Sequence, residues 1–277
     1  MRPARLISGD RLAVVLVAHG SRDPRAAAAT EALARAVRRA RPEWVVRAAY
    51  LDHAGPRPLE VLAVLPGRRV VLVPLLLTAA YHGRVDIPAV LAAAADLPVT
   101  VTLADVLGPS AAPSAAPAPL VPAQHAPLVP VQHVPVAAAG PVSAELIDGL
   151  VRRLPVAGLD AVVLAAAGTR DAAARATVGW AADALSARLG LPCTVAYASA
   201  SPPAAGDAVD LLRASGARRV GVSAYFLAPG FLYDLAARSA RAAGAVTVAD
   251  PLGDAPELVR LVAARVEAAA TRTLVAA

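Results

Sequence analysis

The feature that most constrains this chain is that it is written twice. The apolar run Leu12–Ala18 leads, after His19, into Gly20–Ser21–Arg22–Asp23, and Ala161–Ala167 leads into Gly168–Thr169–Arg170–Asp171. Tyr50, at the end of Arg47–Ala48–Ala49–Tyr50, is matched by Tyr197 at the end of Val195–Ala196–Tyr197. Arg68–Arg69–Val70 returns as Arg218–Arg219–Val220, and Val101–Gly108 returns as Val246–Gly253 with Val-Thr, Ala-Asp and Leu-Gly in register. Four landmarks in the same order mark an internal duplication, so the fold must be one that half of the 277 residues can specify.

Within the first copy, short apolar runs alternate with helical patterns. Leu12–Ala18, Trp44–Leu51, Val70–Leu77 and Val99–Leu103 read as strands. Helices are expected from Pro24 to Arg39, over Pro58–Leu65 and over Ile87–Ala95, with Ser143 capping another that runs to Arg153. Strands that are almost unbroken apolar runs are buried on both faces, which implies a parallel sheet covered by helices. The reading is an α/β chain of two similar lobes, residues 1–155 and 156–277. Each lobe holds a four-stranded parallel sheet. With 57% hydrophobic but only 3% aromatic residues, the core must be packed by Ala, Val and Leu.

Composition breaks once. Residues 109–141 are mostly Pro, Ala, Val and Ser without Asp, Glu or Arg, and so much proline forbids a helix or central strand. In the second copy Glu257–Leu258 follows Gly253 closely, whereas Glu145–Leu146 is separated from Gly108 by this segment. It is therefore an insertion, expected to be an extended loop. Its His125 and His133 cannot form a preorganised cage on a proline-rich tether.

All 27 basic residues are Arg, scattered without interleaved aromatics, so the net charge of +6 suits a small anionic ligand better than nucleic acid. The single Cys193 excludes an intrachain disulfide framework and a Cys-based zinc site. No stretch has the form of a signal peptide, and Val70–Tyr81 is too short to span a bilayer. A cytoplasmic protein with no membrane partner is expected.

The two copies control one another. Residues the fold needs should persist in both; residues of a site can survive in one. Gly, a hydroxyl, Arg and Asp persist after the first strand and read as turn and cap residues. His19 does not, because its counterpart is Ala167; Asp52 corresponds to Ser199 and His82 to Leu232. All three lie at or beyond a strand's carboxyl end. Parallel strands share that edge, so His19, Asp52 and His82 should open into one crevice. His53, next to Asp52, is expected on the opposite side of the strand in apolar surroundings.

Ala18 stands where a histidine phosphatase needs Arg, Gly20–Ser21–Arg22 lacks the spacing of a nucleophile elbow, and no Gly-rich phosphate loop occurs. Two neutral imidazoles with one carboxylate make an incomplete coordination set. Such a set suits a divalent transition metal that is handed on rather than kept.

Val17–Ala18–His19–Gly20–Ser21–Arg22–Asp23–Pro24, with Val73–Leu77 and Tyr81–His82–Gly83–Arg84–Val85–Asp86–Ile87–Pro88, resembles the CbiX/SirB family of sirohydrochlorin chelatases. Leu51–Asp52 with Pro56 is similar to the family's Leu-Glu…Pro segment, Asp replacing Glu. The resemblance implies the chelatase fold, with a tetrapyrrole between the lobes. It implies insertion of Fe2+, or alternatively Co2+, in siroheme or cobalamin biosynthesis. His19 and His82 would hold the ion and take pyrrole protons, and Asp52 would assist. Ser21, Arg22 and Arg84 would bind the substrate's carboxylates. The metal is then a substrate, with no prosthetic group, and one chain suffices for a complete cleft. A non-catalytic tetrapyrrole or metal carrier using the same cleft is the alternative.

Overall fold

A computed structural model describes residues 11–65, 69–78, 86–109 and 142–275. The first copy runs β1 (Ala13–Ala18), α1 (Pro24–Ala40), β2 (Val45–Tyr50), α2 (Pro58–Ala63), β3 (Arg69–Pro74), α3 (Asp86–Ala93) and β4 (Thr100–Leu103), and α4 (Ala144–Arg153) closes it. The second runs β5 (Ala161–Ala166), α5 (Ala172–Leu189), β6 (Cys193–Tyr197), α6 (Ala205–Ala214), β7 (Val220–Tyr225), α7 (Phe231–Ala242), β8 (Thr247–Val248) and α8 (Pro256–Val275). Strand order is β2-β1-β3-β4 in one sheet and β6-β5-β7-β8 in the other, and every pairing is parallel. The duplication is thus a duplication of topology. The 110–141 stretch, with His125 and His133, lies outside the described residues.

Alternate residues of each strand feed different cores. Ala13, Val15 and Val17 of β1 pack on the outer face with Val61, Leu62 and Ile87, while Val14 and Leu16 face inward. In the second sheet Val163 and Ala165 pack outward with Val209 and Ala236, and Val162 and Leu164 turn inward. The inward faces of both sheets merge into one core. Burial on both faces is why the strands read as unbroken apolar runs.

The helices that close the two repeats are exchanged. α8 packs on α1, β3 and β4 of the first copy, whereas α4 packs on β7 and α5 of the second, and the two helices touch. Periodicity shows that a helix has an apolar face; it does not show which sheet that face covers. Leu258 and Leu261 of α8 and Leu146 and Leu150 of α4 are each about 1% exposed. Fully burying one such side chain contributes about 1.5–3 kcal/mol. Arg152–Glu257, between α4 and α8, is the more buried ion pair. The pairs by which α8 reaches the first copy's β2-side and β4-side loops, Arg41–Glu267 and Arg272–Asp105, are exposed and screened by solvent. Apolar contact therefore binds the lobes together.

Candidate active site

Parallel strands deliver their carboxyl ends to one edge, and the turn after β1 is built there in a way both copies repeat. Gly20 has φ +94°, and a Cβ on it would stand 1.7 Å from the Asp52 carbonyl oxygen; Gly168 has φ +96°, with the Ser199 carbonyl at 1.9 Å. Only glycine allows that approach. The Asp52 N–H donates to the His19 carbonyl at 2.8 Å, as the Ser199 N–H does to that of Ala167 at 3.1 Å. Ser21 Oγ accepts the Asp23 N–H at 3.1 Å, and Thr169 Oγ1 accepts that of Asp171 at 3.2 Å. Asp23 and Asp171 then cap α1 and α5. Gly, hydroxyl and Asp are turn residues, as the repeat implied. Arg22 is exposed, and the turn's hydrogen bonds run through its neighbours.

His19 projects from this turn between the lobes. A cavity of about 170 Å3 is lined by His19, Tyr50 and Leu75 from the first lobe and by Leu227, Ala228 and Gly253 from the second. The imidazole is half-buried, with Nδ1 in the interior. A second cavity of about 200 Å3 occupies the equivalent place around Ala167, Tyr197 and Tyr225, and Leu75 and Leu227 wall both. The cavities are a related pair, of which one carries a histidine. Arg25 Nη2 reaches Asp234 Oδ2 on α7 at 2.6 Å as well as Asp23, tying the start of α1 to the second lobe.

Asp52 lies at the same edge with a half-exposed carboxylate. Its Oδ1 accepts the His53 N–H at 2.8 Å. That hydrogen bond outweighs desolvation and, with the charges of His53 and Arg57, holds the carboxyl below its ordinary value. Oδ2 lies 3.5 Å from His53 Nε2, and Arg57 Nη2 lies 3.6 Å from Oδ1.

His53 is not where alternation puts it. It is exposed, at φ +58°, with its ring edge-on to that of His19 at a centroid separation of 6.3 Å and an interplanar angle of 83°. β2 ends at Tyr50, so the period of two no longer applies, and beyond it the left-handed residue sets its ring beside that of His19. Its counterpart Ala200 has φ +64°, so the turn belongs to both copies and the imidazole to one. That comparison was the signal available in the sequence.

His82 and Arg84 fall outside the described residues, as do residues 79–85 as a whole. Up to Thr78 the chain leaves β3 at the edge that carries His19, with the Leu75 N–H donating to Val17 at 2.8 Å. Tyr225 Oη, from the second lobe, donates to the Leu77 carbonyl at 3.1 Å. Among the described residues no three of His, Cys, Asp and Glu form a ready metal cage, and no helix is long and apolar enough to cross a membrane. Cys193 opens β6, away from this edge, and desolvation pushes its thiol up to about 12.

The model of the CbiX family matches residues 13–116 and again residues 161–269. The chain belongs to the CbiX family. As in the duplicated fold above, the family unit occurs once in each half, the first match ending within the proline-rich segment and the second beginning beyond it. This CbiX chain superposes on SirB from Bacillus subtilis with Fe3+ at a TM-score of 0.70 and 18% identity, covering 95% of this chain and 97% of that one. SirB from Bacillus subtilis subspecies spizizenii in complex with cobalt gives 0.67 at 18% identity, covering 93% and 94%. A CbiX described as the terminal enzyme for siroheme biosynthesis in denitrifying bacteria gives 0.57 at 18% identity, covering 94% and 99%. At that identity the likeness establishes the two-lobed chelatase fold. No curated protein matches the chain.

Proposed function

We propose that this CbiX protein inserts a divalent metal ion, Fe2+ in preference to Co2+, into sirohydrochlorin. The observation that carries the proposal is His19: an imidazole kept by one of two CbiX copies, at a cavity walled by both lobes. Structures of proteins with this fold hold iron and cobalt, which supports the choice of ions.

Metallation requires two pyrrole N–H bonds to break as the ion enters, with both protons leaving. Neutral imidazole binds such ions and accepts protons near pH 7. His19 and His82 hold the incoming ion, and one or both take the protons. Asp52, already ionised beside His53, is the next acceptor outward. The substrate bears eight carboxylates, and exposed Arg22, with Arg84 and the net charge of +6, attracts them. Ser21 Oγ, though it accepts the Asp23 N–H, keeps its own proton to donate to a carboxylate.

His19→Ala and His82→Ala each abolish metal insertion in anaerobic assays while leaving the circular dichroism spectrum unchanged. Near-wild-type chelation by both variants overturns the proposal.

A further inference from the structure

We propose that His53 is a ligand for the metal-ion substrate, forming with His19 an open two-imidazole site at the edge of the first sheet that captures the ion before it passes to the histidine pair proposed above. The inference rests on the function proposed above and concerns a residue which the turn itself does not require.

Geometry is the first support. Two imidazoles sharing one ion at nitrogen–metal distances of about 2.0–2.1 Å set their ring centres on the order of 5–6 Å apart. The centroids of His19 and His53 are 6.3 Å apart. His53 is exposed, so rotation of its side chain brings a nitrogen of each ring onto a common ion without moving the backbone.

Asp52 is the second. Its Oδ2 lies 3.5 Å from His53 Nε2. A carboxylate this near Nε2 favours a proton there and so leaves Nδ1 as the nitrogen offered to metal, while the 3.5 Å spacing leaves the ring able to turn. The same carboxylate fixes the start of the turn by accepting the His53 N–H.

The third support is the repeat. At φ +58° a residue with a Cβ is uncommon, and Asn or Gly would fit more readily. Ala200 adopts φ +64° in the second copy, so nothing in the backbone calls for histidine. Ala167 and Ala200 replace His19 and His53, so the second lobe lacks both imidazoles of the pair. Two ligands with open positions hold an ion loosely, which suits a substrate ion that must move into a macrocycle.

His53→Asn tests this, because Asn tolerates the left-handed conformation and lacks the imidazole. Co2+ is titrated into wild type and variant without tetrapyrrole, followed by visible absorption. Steady-state metallation is then measured against each substrate. The expected result is Co2+ binding weakened about tenfold or more, with a matching rise in the KM for Fe2+ and Co2+. The KM for sirohydrochlorin stays within twofold. Asp52→Asn gives a smaller weakening in the same direction. Co2+ affinity and metal KM within twofold of wild type in His53→Asn overturn the proposal. If wild type fails to metallate sirohydrochlorin but His53→Asn still weakens Co2+ binding, the functional reading fails and the capture site stands.

Discussion

Replacing Gly20 and Gly168 by alanine, separately, divides what the fold needs from what the site needs. Both residues sit near φ +95°, and in both a Cβ would lie inside van der Waals contact of a backbone carbonyl, at 1.7 Å and 1.9 Å. Strain of this kind costs about 1–3 kcal/mol. The carbonyl must also retreat by more than 1 Å to reach even a tight 3.0 Å contact. That stretches the hydrogen bond from the Asp52 or Ser199 N–H, which contributes about 1 kcal/mol. The two variants should each lose about 2–4 kcal/mol, lowering Tm by roughly 5–15 °C. Circular dichroism melts measure this. Metallation at a temperature where both stay folded measures the rest. Gly20→Ala moves the backbone that carries His19 and Asp52, so its rate falls at least tenfold; Gly168→Ala moves only Ala167 and Ser199 and keeps most of its rate. A wild-type Tm in either variant refutes the close-approach argument. Equal activity losses refute the assignment of the chemistry to the first lobe.

Other perturbations follow from single contacts. Ser223 Oγ on β7 is fully buried and, among the described residues, has no hydrogen-bond partner. Ser223→Ala should therefore raise the urea midpoint, by about 1 kcal/mol in stability, with unchanged activity. Tyr225→Phe removes the hydroxyl that bonds Leu77 across the lobes and should cost about 1 kcal/mol in the same assay. Glu257 is 4% exposed and accepts two 2.8 Å hydrogen bonds from Arg152, which hold its carboxyl below the ordinary 4.5. A carboxyl lowered on folding stabilises the protein above its unfolded pKa and ceases to do so as pH falls through the folded value. Stability should thus decline below about pH 4.5. Glu257→Gln should lower the midpoint at pH 7 and flatten that decline.

The strands were legible because burial on both faces leaves an unmistakable apolar run, and the matched second copy placed each run in register. Expected and observed strand ends differ by one residue at β1 and β2; Leu75–Leu77 of the third run, beyond β3, still hydrogen-bonds at the sheet edge through Leu75. Asp23 and Pro24 marked the start of α1 through ordinary capping chemistry. The exchange of α4 and α8 was not legible, since an amphipathic helix carries no record of which sheet it covers. His19 was legible from its replacement by Ala167. His53 meets the same comparison, against Ala200, but a period of two has no force beyond Tyr50, where the strand ends and the turn begins. Ser143 begins α4 as expected, yet its hydroxyl donates to Glu145 at 2.6 Å instead of capping the helix backbone.

The most direct test of the central claim is an anaerobic time course with wild-type protein and an excess of sirohydrochlorin, run in parallel with Fe2+ and with Co2+. Metallated product should rise well beyond one equivalent per chain, faster than the spontaneous reaction, and this excess should vanish in His19→Ala. Product that stops at one equivalent, or continues unchanged in His19→Ala, contradicts catalysis at this site.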